Sequence, residues 1–405
     1  LWSFNTIPAP GEFGNDTWPG QSWKTGGGGT WTSYTLDPET GELFVPVANP
    51  SPDWNGKPRR GDNLFSNSVL VLDAKTGRRR WHYQTIRHDT HDYGVTSPPV
   101  LFRHEGRDYV AVAPKDGFLY VLERSKQALA YKVPVTTILN HQVEPTPEGL
   151  RFCPGIYGGV LWSSPGYDPE HEALVVGATD WCTTVWQTDP AQSHVPGKLF
   201  MSGKHQQDAE SAGWITSFDA ASGRVRWKYK APAPVVSGVT PTAGGVTFVG
   251  DMAGTLYAFD SDEGTLLHKI ATGGAIAGGI ITYRTGGRQY VAATSGNVSR
   301  SSWPQATGVP SLVIYALPKS DAATELPGDA ARGKKIYGET CIGCHGASLE
   351  GGGAGPALAG IAARLGRVEL AQFIKSPPET MPTFYPELLS DQDVSDLVQY
   401  LMEAR

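Results

Sequence analysis

Residues 68–84 read SVLVLDAKTGRRRWHYQ. An apolar alternation runs into an Asp, a turn carrying Gly follows, and a second run leads to a Trp. Such a pattern makes an antiparallel hairpin whose closing indole packs against a neighbouring sheet. The theme returns in GWITSFDAASGRVRWKYK (213–230) and GTLYAFDSDEGTLLHKI (254–270), and in degenerate form in GFLYVLERSKQALAYKV (117–133). Two more copies, YTLDPETGELFVPVAN (34–49) and GYDPEHEALVVGATDW (166–181), use Asp-Pro-Glu turns. Spacings of roughly 40–50 residues suit four-stranded propeller blades, and a β-sandwich array is the alternative. There is material for about five blades, fewer than large propellers of this sort use to close a ring. An unclosed ring leaves sheet edges open, so a chain of these units alone is expected to be poorly stable or aggregation-prone.

The 405 residues carry a formal charge of −6, which points away from a nucleic-acid surface. No apolar run approaches the ~18 residues that cross a membrane. No signal peptide is visible, and the opening Leu1-Trp2-Ser3 lies in strand-like sequence, which reads as a cut end.

Near the other end the chemistry changes. ETCIGCHG (339–346) spaces Cys341 and Cys344 by one helical turn and follows them with His345. Two thiols so placed add across two vinyl groups of a haem, and the adjacent imidazole ligates the iron. A zinc half-site would want a second Cys/His pair, and none lies downstream. A redox dithiol would want a strand before it, whereas AARGKKIYGETC (330–341) has helical spacing. Of the four Met residues only Met381 and Met402 follow the motif. Met381 lies in the Pro-flanked loop SPPETMPTF and is the expected sixth ligand; Met402 lies on a last helix, LSDQDVSDLVQYLMEA, at core spacing. Residues 328–405 resemble a class I cytochrome c, a small all-α domain. In that family the Pro of a G-P-x-L segment, here Pro356, supports the haem histidine.

A one-electron carrier needs a donor, and the remaining residues offer one. TGGGGTW (25–31), VANPSPDW (47–54) with RRGDN (59–63), and HYQTIRHDTHDYG (82–94) together resemble the pyrroloquinoline quinone (PQQ) dependent alcohol dehydrogenases. That family contains the methanol and ethanol dehydrogenases and, with a cytochrome appended, the quinohaemoproteins. The resemblance covers the whole chain and begins partway through an eight-bladed fold. It implies domains at 1–317 (propeller) and 328–405 (cytochrome), joined by a Pro- and Ala-containing linker at 318–327.

Carried over position by position, the resemblance makes Asp92, second acid of H-D-x-x-D, the base that takes the hydroxyl proton. It gives Asp89 a structural part. Asn49 and Asp92 contact a Ca²⁺ that also grips the quinone, an amide oxygen being a hard neutral donor. Relatives that use a lanthanide carry another acid two residues after the base; here that position is Gly94, which favours Ca²⁺. Trp31 stacks under the flat cofactor, where the preceding glycines permit close backbone approach, and Lys115 holds quinone oxygens. Taken singly, each has an ordinary reading as a turn, cap or blade-packing residue. The family also has a disulfide at positions matching Cys153 and Cys182, in keeping with an oxidising compartment. One departure is Leu161, where the family has a cofactor-contacting Asn.

The expectation is therefore a periplasmic oxidoreductase that oxidises a primary alcohol with PQQ and Ca²⁺. Electrons pass to its own haem c and on to an external acceptor: a soluble cytochrome, a copper protein, or a membrane quinone or oxidase. A sugar or polyol dehydrogenase is one alternative, and a non-catalytic propeller–cytochrome electron carrier is the other.

Overall fold

A computed structural model describes residues 1–286, 288–296, 308–317, 326–352, 355–378 and 380–404. The chain divides into two compact units, Leu1–Tyr315 and Ala316–Arg405. Most of the expected linker, 318–325, lies outside the described residues.

The first unit is built from consecutive antiparallel sheets with the strand order of propeller blades. The first sheet joins Thr35–Asp37, Glu42–Val47, Ser68–Asp73 and Arg79–Gln84; the second joins Val100–His104, Arg107–Val112, Phe118–Glu123 and Ala128–Pro134. The third joins Gly166–Asp168, Ala173–Asp180, Ala212–Asp219 and Val225–Ala231. The fourth joins Thr240–Pro241, Val246–Gly250, Thr255–Asp260 and Leu266–Ala271, and the fifth has three strands, Ile280–Thr285, Arg288–Ser295 and Ser311–Tyr315. A separate three-stranded sheet, ordered Gly203–Gln207, Thr183–Gln187, Leu150–Phe152, draws two of its strands from the connection between the third sheet's second and third strands.

The repeated turn works as its sequence implies. Asp73 accepts from the amides of Lys75 and Thr76, Asp219 from Ser222, and Asp260 from Asp262 and Glu263. A register slip recurs in the last hairpin of four sheets, at Val71/Leu72, Val121/Leu122, Ser217/Phe218 and Ala258/Phe259. Such a bulge sharpens the strand twist at one fixed place in each repeat. The last-strand aromatic then docks on the next turn: Trp227 Nε1 donates to Ser261 O at 3.0 Å and Tyr131 OH to Ala220 O at 2.9 Å. Trp2 makes the equivalent bond to Ala74 O at 3.1 Å. Apolar residues between adjacent sheets form the core, as where Trp81 packs with Val110, Val112 and Leu122 of the second sheet. The second sheet's turn lacks the usual Gly. Gln127 takes the left-handed conformation there (φ 52°), and Arg124 reaches back to Asp37 and Glu42 of the first sheet instead.

The second unit is helical: Ala330–Thr340, Ile342–His345, Arg367–Lys375 and Asp391–Glu403. Asp329 caps the first helix by accepting from the amides of Ala331 and Arg332, and Ser390 and Asp393 form a capping box on the last. The two helices cross at Gly333, where a Cβ would lie 1.9 Å from Asp396 O. Ile336, Tyr337, Leu370, Val394, Leu397 and Leu401 fill the core, with Met402 packed against it. Among the described residues no helix is long and apolar enough to cross a membrane.

Candidate functional site

Asn49 follows the strand Glu42–Val47, and the glycine run 26–29 lies antiparallel to it. Gly28 N donates to Asn49 O at 2.9 Å, Ala48 N to Gly29 O at 2.9 Å and Ser51 N to Gly26 O at 2.9 Å. Glycine is required at this approach. Gly27 has φ 79°, and a Cβ there would lie 2.8 Å from Asn49 O. The loop holding Asp92 reaches the same place from the other side. A Cβ at Gly94 would lie 2.8 Å from Ala48 Cα and from Asn49 N. Lys115 N then donates to Gly94 O at 3.3 Å. The segments carrying Trp31, Asn49, Asp92 and Lys115 are thus brought together by backbone contact.

Two acids of RHDTHDYG have separate surroundings. Asp89 is buried and its carboxylate accepts from His91 N (2.8 Å), Tyr93 N (2.7 Å) and Asn67 Nδ2 (3.1 Å). It ties the loop together. Asp92 sits in the left-handed region (φ 64°), and its Oδ2 accepts from Lys115 Nζ at 2.6 Å. The Lys115 side chain is 7% exposed and that of Asp92 21%, so the ion pair is largely shielded while one edge of the carboxylate stays open. Burial pushes the Asp92 carboxyl upward and Lys115 opposes it, with a net rise.

Asp53 stands out beside these, and reading the sequence did not single it out. Its Oδ1 accepts from Asn49 Nδ2 at 3.1 Å and from Ser51 Oγ at 3.4 Å. Burial, and then the charge of Asp92, push its carboxyl up to about 8 against the opposing pull of Lys115 and Arg59. The available signal was spacing: Asn49 and Asp53 stand four apart in a Pro-punctuated loop, NPSPD. Arg59 was also passed over. Fully buried, it donates to Pro52 O (2.8 Å), Asn63 Oδ1 (3.0 Å) and Asp89 O (2.5 Å), pinning the 52–53 backbone to the Asp89 loop.

The donor set fits a hard cation. Asn49 spends its Nδ2 on Asp53, and its Oδ1 accepts no hydrogen bond from the described residues. Asn49, Asp53 and Asp92 offer amide and carboxylate oxygens and no sulfur. Trp31 is 55% exposed, leaving an indole face open after the glycine run. Leu161, by contrast, lies in an apolar cluster with Trp181, Ala233, Val236 and Met252, which accounts for an aliphatic side chain there. Cys153 and Cys182 are disulfide-bonded.

In the helical unit, Cys341, Cys344, His345 and Met381 line one cavity of about 330 Å³. His345 Nδ1 pairs with Pro356 O at 2.8 Å, which fixes the tautomer with the proton on Nδ1 and leaves Nε2 as a metal ligand. The remaining walls are mostly apolar, among them Leu358, Ile361, Leu370, Phe384 and Leu397. Those walls suit a porphyrin, and the four predicted residues fall together.

Residues 1–143 match the family described as "Glucose/ethanol/alcohol dehydrogenase, beta-propeller domain" of the PQQ group. Residues 172–324 match "Outer membrane protein assembly factor BamB", and 328–401 match "Cytochrome C oxidase, cbb3-type, subunit III". A quinoprotein alcohol dehydrogenase of Pseudomonas putida is 30% identical over 314 residues, 71% of this chain and 52% of that protein. The quinohemoprotein alcohol dehydrogenase ADH IIB of P. putida is 29% identical over 420 residues, covering 88% of this chain and 60% of the relative. The chain therefore spans little more than half the length of these curated relatives. The crystal structure of the quinohemoprotein alcohol dehydrogenase of Comamonas testosteroni superposes with a TM-score of 0.65 at 25% identity, over 96% of this chain and 65% of that one.

Proposed function

The chain belongs to the PQQ-dependent quinohaemoprotein alcohol dehydrogenase family, and from that premise we propose that it oxidises a primary alcohol to an aldehyde. PQQ and haem c are the family's cofactors, and Ca²⁺ is the cation we assign to Asn49 and Asp92. Bound PQQ supplies the acceptor for the two electrons and hydrogen leaving the carbinol carbon, with the cation as Lewis acid.

The protein's own residues supply the proton chemistry and the positioning. Asp92 takes the hydroxyl proton on its open edge. The Lys115 ammonium, 2.6 Å from the other oxygen, opposes the upward push of burial on its pKa. The raised basicity of a shielded carboxylate makes it the better proton acceptor. Trp31 offers a planar face to the cofactor, and the glycines before it let backbone and cofactor approach. Cys341 and Cys344 would anchor a haem covalently, and His345 and Met381 would hold its iron. A haem held there would supply one-electron transfer to an external acceptor: a soluble cytochrome, a copper protein, or a membrane quinone or oxidase. A periplasmic setting suits both the haem attachment and the Cys153–Cys182 disulfide.

The observation that carries the reading is the Asp92–Lys115 pair set against Asn49 at the meeting of four loops. It is tested by reconstituting the full-length protein with PQQ and Ca²⁺ and following dye reduction with a panel of alcohols, sugars and polyols. Asp92→Asn is expected to lower turnover by ~10²–10⁴-fold, the usual worth of a general base, while PQQ stays bound. Unchanged turnover in that variant would remove Asp92 from the mechanism. Turnover only on sugars or polyols would move the substrate class.

A further inference from the structure

We propose that Asp53 is a direct donor to the cation, so that two carboxylates of this chain, Asp53 and Asp92, face the ion together with the Asn49 amide oxygen. The inference rests on the preceding reading that a cation binds at Asn49 and Asp92.

The geometry points this way on three counts. Asn49 Nδ2 donates to Asp53 Oδ1 at 3.1 Å, so the two side chains meet and the amide oxygen and the second carboxylate oxygen are left without a hydrogen-bond partner among the described residues. Secondly, the nearby cations are already committed. Lys115 Nζ is on Asp92, and Arg59 spends its donors on Asn63 Oδ1 and on backbone oxygens of Pro52, Asp53 and Asp89. Among the described residues no side-chain ion pair answers the Asp53 carboxylate, although burial and its neighbour Asp92 both disfavour its charge.

Thirdly, the Asp53 backbone is fixed on both sides. Pro52 O is held by Arg59, Trp54 N donates to Met201 O at 3.0 Å, and Gln187 Nε2 donates to Trp54 O at 2.9 Å. A ligand must be held in this way to be preorganised. Gly94 touches the backbone of Ala48 and Asn49 and has no room for a Cβ, so that position offers no side-chain donor. Within this chain the 49–54 loop does offer one, the Asp53 carboxylate.

The test titrates the metal-stripped full-length protein with Tb³⁺, read by tryptophan-sensitised luminescence, and with Ca²⁺ by competition. Wild type is compared with Asp53→Asn and Asp92→Asn, and melting of the stripped proteins is recorded alongside. Asp53→Asn is expected to weaken Tb³⁺ at least ~10-fold and Ca²⁺ by less, since a lost negative charge matters more to a trivalent ion. It should also leave the stripped protein at least as thermostable as wild type, because an amide never takes the charge that burial and Asp92 disfavour at this position. If Asp53→Asn binds both ions within twofold of wild type while Asp92→Asn binds neither, Asp53 is no ligand and the proposed function stands. If the stripped Asp53→Asn protein melts several degrees lower, the residue is structural and the inference is overturned. If wild type itself binds neither ion, the cation reading falls and takes this inference with it.

Discussion

Replacing Arg59 by Leu tests whether the site is held by one buried cation. The guanidinium donates to Pro52 O through Nη2 (2.8 Å) and Nε (3.2 Å), to Asn63 Oδ1 at 3.0 Å and to Asp89 O at 2.5 Å. Burial lowers its pKa to about 10, so it stays charged at neutral pH. A leucine fills much of the volume but leaves three buried acceptors without their donor. Charge-assisted bonds are worth ~1.5–3 kcal/mol each, and breaking a buried charged network by removing one partner costs ~3–5 kcal/mol. At ~2 °C per kcal/mol for a unit of this size, the propeller should melt ~6–10 °C lower. All twelve Trp residues precede position 316, so tryptophan fluorescence reports the first unit while haem absorbance reports the second. The fluorescence transition should fall and the haem transition should not. Arg59→Lys keeps the charge but not the planar fork, and should recover less than half of the loss. An Arg59→Leu protein melting within ~2 °C of wild type would refute the claim that this residue clamps the two loops.

Four further outcomes follow from named contacts. Burial would raise the Asp37 carboxyl, but Arg124, Thr40 and two backbone amides hold it down to about 2; its contribution is present above the usual carboxylate pKa and lost as pH falls from about 4 to 2, so wild type and Asp37→Asn should converge in melting temperature over that range. Asp53, pushed up to about 8, has the opposite sign: its stability is complete below about 4 and is lost as pH rises through 8, so the cation-free protein should melt progressively lower between pH 5 and 8, and Asp53→Asn should flatten the slope. Reducing the Cys153–Cys182 bond opens a loop with a sequence separation of 29, worth roughly 3–4 kcal/mol of chain entropy, and should lower the fluorescence transition alone. With Met381 as the proposed sixth ligand, Met381→Ala should shift the haem from a low-spin to a high-spin optical spectrum without releasing it, since Cys341 and Cys344 would still hold it.

The blade architecture was legible because its turns are chemically specific. An Asp that accepts two amides, a Gly just beyond it and an aromatic that docks on the next sheet are all side-chain signals at fixed spacing. The degenerate copy at 117–133 keeps only the docking aromatic, Tyr131, and Gln127 adopts the left-handed conformation that a Gly supplies elsewhere. The haem cavity was equally plain, for the same reason. The inserted sheet of residues 150–152, 183–187 and 203–207 was not expected, because its strands pair across long connections that periodicity alone does not register. Asp53 and Arg59 escaped notice for a different cause. Each lies in a Pro- and Gly-rich loop where acids and bases are ordinarily solvated, and only the folded backbone shows that these two are withdrawn from water.

The division of charge among four neighbouring residues gives the site its character. Asp89 and Arg59 are buried, yet neither confers reactivity. Two amides and an Asn satisfy the Asp89 carboxylate, and the guanidinium is spent on an Asn and on backbone carbonyls. Their cost is met by hydrogen bonding, which makes them scaffold. Asp92 and Asp53 are treated differently. One has a single ammonium partner and an open edge; the other has an amide and a hydroxyl and no cation. Two carboxylates raised by burial within reach of one lysine leave a deficit of positive charge, and a fold does not retain such a deficit for stability. The proposed cation would complete it. In the proposed function the same deficit is what raises the basicity of Asp92 toward the hydroxyl proton. Cation binding and proton abstraction are, on this view, two uses of one electrostatic imbalance, and a substitution that neutralises Asp53 should weaken the first without abolishing the second.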